Sequence, residues 1–255
     1  MKKLDHPNLV QLIEVLDDPA EDSLYMVLEM CKKGVVMNLT VCDDSDDEDG
    51  ASGKHQRAEP YPDHVCRTWF RDLLLGIEYL HAQGIIHRDI KPDNCLITDD
   101  DVLKLVDFGV SEMFDKASVG GKKDEKSKDD DDDDLKTNKS AGSPAFMPPE
   151  LCVARHGSVS GRAADIWSMG VTLYCLRYGR IPFDRKELLE LYESIRHDDV
   201  VLPGELDEDF RDLMSRLLEK DPHKRITMEQ LRVGEDHQWT IWRDADPIPT
   251  RFILG

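Results

Sequence analysis

Residues His87-Arg88-Asp89-Ile90-Lys91-Pro92-Asp93-Asn94 stand in one run, and Asp107-Phe108-Gly109 follows a stretch that reads as a two-strand ribbon. An aspartate, a lysine, an asparagine and a second aspartate in this order place carboxylate, ammonium and amide groups on neighbouring loops. Asn94 and Asp107 offer oxygen ligands, which suits magnesium because that ion takes few protein ligands and completes its shell with phosphates and water. The competing reading makes each aspartate a turn residue or helix cap. That reading is the better one for an isolated motif and the worse one for both motifs in sequence order.

Together with Met147-Pro148-Pro149-Glu150 downstream, the order and spacing resemble the eukaryotic protein kinase family, with Pro148 standing where relatives carry alanine. The resemblance implies an α+β, protein-kinase-like fold: a mainly helical larger lobe with a remnant of the smaller lobe's β-sheet. It implies ATP and Mg2+ as cofactors and phosphoryl transfer as the reaction, which needs positioning and charge neutralisation more than covalent help. Carried over residue by residue, Asp89 would accept or orient the proton of the substrate hydroxyl, and Lys91 would contact the transferring phosphate. Lysine at that position points to serine/threonine rather than tyrosine kinases. Asn94 and Asp107 would hold the metal. In Leu24-Tyr25-Met26-Val27-Leu28-Glu29-Met30-Cys31, Leu28 would be the gatekeeper, the backbone of Glu29 and Cys31 would face adenine, and Leu96 would close the pocket from below. Asp165 would brace the loop backbone, Glu150 would pair with Arg225, and Ser143 would contact Asp89 and Lys91.

Three further stretches, Gly142-Ser143-Pro144-Ala145-Phe146-Met147-Pro148-Pro149-Glu150, Met169-Gly170-Val171-Thr172-Leu173-Tyr174-Cys175-Leu176 and Val110-Ser111-Glu112, resemble calcium/calmodulin-dependent protein kinase kinases of the fungal type. The resemblance implies a protein substrate that can itself be a kinase, and a monomer. Calmodulin is a partner the family admits, although no basic amphipathic segment follows the last helix. The usual activating phosphosite falls on Lys139, so Arg88 would meet no phosphate there; Thr137 and Ser140 lie close enough to substitute. Counting back from His6-Pro7-Asn8 places Met1 just after the expected small-lobe glutamate, so the glycine-rich loop, the strand lysine and that glutamate are absent and activity of this chain alone is doubtful. A catalytically impaired, pseudokinase-like binding module is the alternative, and a third reading makes the aspartate tracts a binder of basic proteins.

The elements that must position these residues follow from periodicity. Residues 9–16 and 23–30 read as two strands around Asp17-Asp18-Pro19. Val65, Trp69, Leu73, Ile77 and Leu80 recur at helical spacing over 62–83, with Gly84 as a natural stop. Residues 95–97 and 102–106 read as short strands, 164–178 as a buried helix, and 210–219 and 228–231 as amphipathic helices. Carried onto these elements, the kinase resemblance implies a partial small lobe over 1–30 and hinge plus larger lobe over 31–255. Acidic, disordered insertions are expected over 43–60 and 116–139.

A formal net charge of -20 argues against nucleic acid and anionic membrane surfaces, which need positive patches. The scattered cysteines fit a reduced, cytoplasmic protein, and no apolar run is long enough for a membrane span.

Overall fold

The computed structural model describes residues 4–18, 23–44, 53–107, 111–114, 135–137, 142–153, 156–205 and 207–233. In chain order its elements are β1 (Leu12–Asp18), β2 (Ser23–Leu28), β3 (Gly34–Val35), β4 (Thr40–Asp44), β5 (Gly53–Arg57), α1 (Asp63–Ala82), β6 (Ile85–Ile86), β7 (Cys95–Ile97), β8 (Leu103–Leu105), β9 (Glu112–Met113), β10 (Lys136–Thr137), β11 (Val159–Ser160), α2 (Gly161–Tyr178), α3 (Leu188–His197), α4 (Glu208–Leu217) and α5 (Met228–Val233). The architecture is α+β, as expected. Small antiparallel ribbons sit on a helical body.

Helix α1 runs where its apolar stripe predicts, with Trp69, Phe70, Leu73, Leu74, Ile77 and Leu80 buried against the core. Asp63 in its first turn complements the helix dipole, and Gly84 just beyond its end has φ +77°, a conformation other residues resist. Helix α2 is buried nearly all round and forms the centre of the body. It starts at Gly161 rather than at Ala164, because the Ser160 hydroxyl accepts a bond from Ala163 N at 3.0 Å and satisfies an otherwise orphaned donor. Burial of an apolar side chain such as Met169 or Leu173 contributes about 1.5–3 kcal/mol, so the many buried side chains of this helix stabilise the fold strongly. Helix α3 has no counterpart among the elements read from periodicity.

Strands β7 and β8 pair as expected, and β3 extends them to a three-stranded sheet in the order β3-β7-β8. Residues 8–10 lie along β8, with Leu105 N donating to Asn8 O at 2.9 Å and Val10 N to Leu105 O at 2.8 Å. Strand β1 continues through Asp17 and Asp18, which pair with Leu24 and Ser23 instead of forming the expected turn; residues 19–22 lie outside the described residues.

Two expectations of disorder are corrected in part. Within 43–60, β5 pairs with β4 from Thr40↔Arg57 to Asp44↔Gly53, and the base of this hairpin is fixed by Ala58 N to Gly179 O at 2.7 Å and Tyr61 OH to Val36 O at 2.6 Å. The acidic composition conceals a Thr40-Val41-Cys42 run with β-propensity and a helix end on which the hairpin rests. Residues 45–52 lie outside the described residues. Within 116–139, Leu135 is buried and β10 pairs with β11; 116–134, 138 and 139 lie outside the described residues. The β-branched Thr137 finds a partner strand, and Leu135 O accepts from Gly161 N at 2.8 Å, contacts that composition alone cannot indicate.

Candidate active site

The loop of residues 87–94 joins β6 to β7 and is held from α2. Asp165, fully buried, accepts from His87 N at 3.0 Å and from Arg88 N at 2.8 Å, and lies 2.7 Å from His81 Nε2. These bonds satisfy a carboxylate that would otherwise be costly to bury. They also hold Arg88 at φ 68°, a left-handed conformation that a non-glycine residue keeps only when its surroundings enforce it. Burial pushes the His87 imidazole below its ordinary pKa, against the pull of the Asp165 charge.

Asp89, Lys91 and Asn94 come together around the Asp89 carboxylate. Its Oδ1 accepts from Ser143 N at 2.9 Å and Ser143 Oγ at 3.1 Å; its Oδ2 accepts from Asn94 Nδ2 at 3.0 Å and pairs with Lys91 Nζ at 3.0 Å. Lys91 Nζ also donates to Ser143 Oγ at 2.8 Å. Burial alone would raise the Asp89 pKa, but Lys91 and the Ser143 donors outweigh it and hold the carboxyl below the usual range. The aspartate is thus ionised throughout the physiological range. Asn94 Nδ2 donates as well to Asp89 O at 2.7 Å, which fixes the amide and turns its Oδ1 into the remaining acceptor.

Ser143 reaches Asp89 because Gly142 lets the chain pass close by. A Cβ at Gly142 would stand 2.4 Å from Arg88 O, and its φ of +105° is open only to glycine. Downstream, Arg225 grips Glu150 through two bonds, Nη1 to Oε1 at 2.8 Å and Nη2 to Oε2 at 2.9 Å, and donates to Ala163 O at 2.8 Å. The pair expected from the sequence therefore ties the 142–153 segment to α2.

Asp107 follows β8 with φ 66°, and Val106 N donates to Asn94 O at 3.0 Å, so Asp107 leaves the sheet beside Asn94. Phe108 and Gly109 lie outside the described residues. The Asn94 amide, with its oxygen left as acceptor, and the Asp107 carboxylate are hard oxygen donors that fit magnesium. Among the described residues there is no group of three or more histidine, cysteine, aspartate or glutamate side chains able to hold a metal ion.

Leu28 ends β2 and is partly exposed, while Cys31 is buried. Leu96 lies in β7 opposite Val35, and Gly34 N donates to Cys31 O at 3.1 Å, so Cys31 and Leu96 belong to one folded unit. Glu29 N donates to Gln11 O at 2.9 Å, and the Glu29 carboxylate pairs with Lys104 Nζ at 2.6 Å. The sequence reading did not include this Lys104 contact. Nor did it include the contacts of Glu112, whose Oε2 accepts from Arg88 Nη1 at 3.0 Å and from Thr137 Oγ1 at 2.6 Å. Neither contact has a local sequence signal, since the partners meet only through tertiary packing.

The chain resembles known proteins over most of its length. The family model for the protein kinase domain matches residues 1–240. A calcium/calmodulin-dependent protein kinase kinase of Emericella nidulans is 59% identical over 224 residues, covering 88% of this chain and 37% of that protein. A calcium/calmodulin-dependent protein kinase kinase of Caenorhabditis elegans is 39% identical over 250 residues, covering 96% of this chain and 39% of that protein. A serine/threonine-protein kinase of Schizosaccharomyces pombe is 39% identical over 252 residues, covering 97% and 34%. The chain thus spans well under half the length of these relatives. With the family model running through the Asp89 loop, Asp107 and the Glu150–Arg225 pair, the chain belongs to the protein kinase domain family.

Proposed function

We propose that this chain is the part of an ATP-dependent protein serine/threonine kinase that aligns the substrate hydroxyl with the transferring phosphate. The observation that carries this reading is the convergence of Lys91, Asn94 and Ser143 on the Asp89 carboxylate, all within 3.1 Å. Asp89, kept ionised, orients the hydroxyl and takes up its proton; Lys91 neutralises charge on the phosphate; the Asn94 oxygen and the Asp107 carboxylate hold magnesium. When bound, the metal would supply positive charge that offsets the charge on the phosphates. Leu28, the backbone of Glu29 and Cys31, and Leu96 border the adenine, with residues 1–30 belonging to a partial small lobe.

The proposed substrate is a serine or threonine of another kinase, in keeping with two relatives whose names read protein kinase kinase. The described cysteines Cys31, Cys66, Cys95, Cys152 and Cys175 are buried free thiols, which agrees with action in the cytoplasm. No helix among the described residues is long and apolar enough to cross a membrane.

The test is phosphate transfer from ATP to a kinase substrate by the full-length protein and its Asp89→Asn variant. Transfer should fall by about 10²–10⁴-fold, the usual worth of a positioned acid or base, while ATP affinity changes little. Equal rates in the two proteins would overturn the assignment of Asp89, and no transfer by the unaltered protein would favour a binding module.

A further inference from the structure

Two arms of one segment are pinned to the Asp89 loop by a single carboxylate. Strand β9 pairs with β6 in the register Ile86↔Glu112, which sets Glu112 beside Arg88. Strand β10 pairs with β11 in the register Thr137↔Val159, next to the capped start of α2. Glu112 Oε2 then accepts from Arg88 Nη1 at 3.0 Å and from Thr137 Oγ1 at 2.6 Å. The site is a built one: the Arg88 side chain is 10% exposed, and Thr137 is 2% exposed. Arg88 immediately precedes Asp89, and its carbonyl is the atom against which Gly142 packs. Whatever fixes Arg88 therefore fixes the approach of Ser143 to Asp89.

We propose that Glu112 is a resident counter-ion for Arg88, a positioning residue that sets Thr137 and the approach of Ser143 to Asp89 without any added phosphate. Charge-assisted bonds of this kind are shorter and stronger than neutral ones, and partial burial protects them from screening by salt. The same geometry gives Thr137 a definite part. Its hydroxyl is the donor to Glu112, so a phosphate there would set a charge of about -2 against a carboxylate. Phosphorylation of Thr137 would open the clamp instead of closing it. This assignment deepens the proposed function, because its effect on rate rests on that reading, whereas its effect on local order does not.

The experiment uses the full-length protein with Glu112→Ala, Glu112→Gln and Thr137→Val, and takes two readouts: phosphate transfer before and after phosphatase, and amide hydrogen exchange across residues 135–147. The unaltered protein should keep its rate after phosphatase. Glu112→Ala should lose roughly tenfold or more in rate, as expected for a charge-assisted bond, and exchange faster across 142–147. Millimolar formate or acetate, entering beside Arg88, should restore much of both. Glu112→Gln preserves shape and the Thr137 bond but not the charge, so it should resemble Glu112→Ala, and it carries the test if the alanine variant does not fold. Thr137→Val should loosen 135–137 while keeping most of the rate. Rates and exchange in Glu112→Gln equal to those of the unaltered protein would overturn the proposal, as would a loss in Glu112→Ala that no small carboxylate repairs. If the unaltered protein transfers no phosphate but exchange follows the pattern above, the kinase reading fails and the clamp stands.

Discussion

Helix α2 and the β1–β2 ribbon are both rich in apolar residues, yet they have opposite fates. In α2 the run from Ala164 to Leu176 is buried without interruption, enclosed by α1, α4 and the 142–153 segment. In the ribbon, Ile13, Leu24 and Met26 are 62%, 61% and 59% exposed, and Val15, Leu16 and Tyr25 are exposed as well. The difference teaches that apolar patterning states which side chains gain from burial, not whether a second surface is present to bury them. The body, in contrast, supplies partners to its buried Asp165 and Arg225, the first bonded to His87, Arg88 and His81 and the second to Glu150.

The comparison breaks most visibly if the body tolerates loss of a buried charge. Arg225→Ala leaves Glu150 without its bidentate partner and should cost about 3–5 kcal/mol in urea unfolding. A loss below about 1 kcal/mol would mean that the buried pair does not organise the body, since surface substitutions have effects of that size.

A pH series sharpens the contrast further. Asp72, on α1, accepts from Leu103 N at 2.9 Å, and burial pushes its pKa from 3.8 to about 6, against the bonds that favour its charge. A folded-state pKa above the unfolded one means that its stabilising contribution is present below pH 3.8 and is lost as the pH rises through about 6. Asp72→Asn should remove this part of the pH dependence, worth about 1–3 kcal/mol between acid and neutral pH. Unfolding curves at both pH values would reveal it; an unchanged difference would refute the shift.

The smallest effect belongs to the ribbon. Met26→Ser should alter stability by no more than about 0.5 kcal/mol, as for surface sites in general, and should reduce self-association measured by light scattering. A loss of about 2 kcal/mol, typical of core truncation, would mean that the ribbon is covered in solution and that the contrast with α2 is false.

What was legible in the sequence follows the same physical divide. The 87–94 loop could be read because its groups sit at fixed local spacing, and α1 because its stripe repeats every turn. The contacts of Asp165, Ser143 and Arg225 were expected through the family resemblance, and the structure contains them. The β4–β5 hairpin escaped because an acidic average masks a strand pair whose base rests on the end of α2. The bond between Glu112 and Thr137 escaped because it depends on two separate strand registers, each fixed by a partner elsewhere. Helix α3, with only Leu191, Ser194 and Ile195 buried, presents too narrow an apolar stripe to be read with assurance.

The bracing of the 87–94 loop by Asp165 also dictates when the site can form. Its bonds to His87 and Arg88 close loops of 78 and 77 residues, and the one to His81 closes 84. Such closures carry a large entropic cost that only a docked α2 can offset. During synthesis, the loop emerges first and must wait for a helix made much later. The geometry around Asp89 is therefore a late product of folding, reached together with the body and not before it.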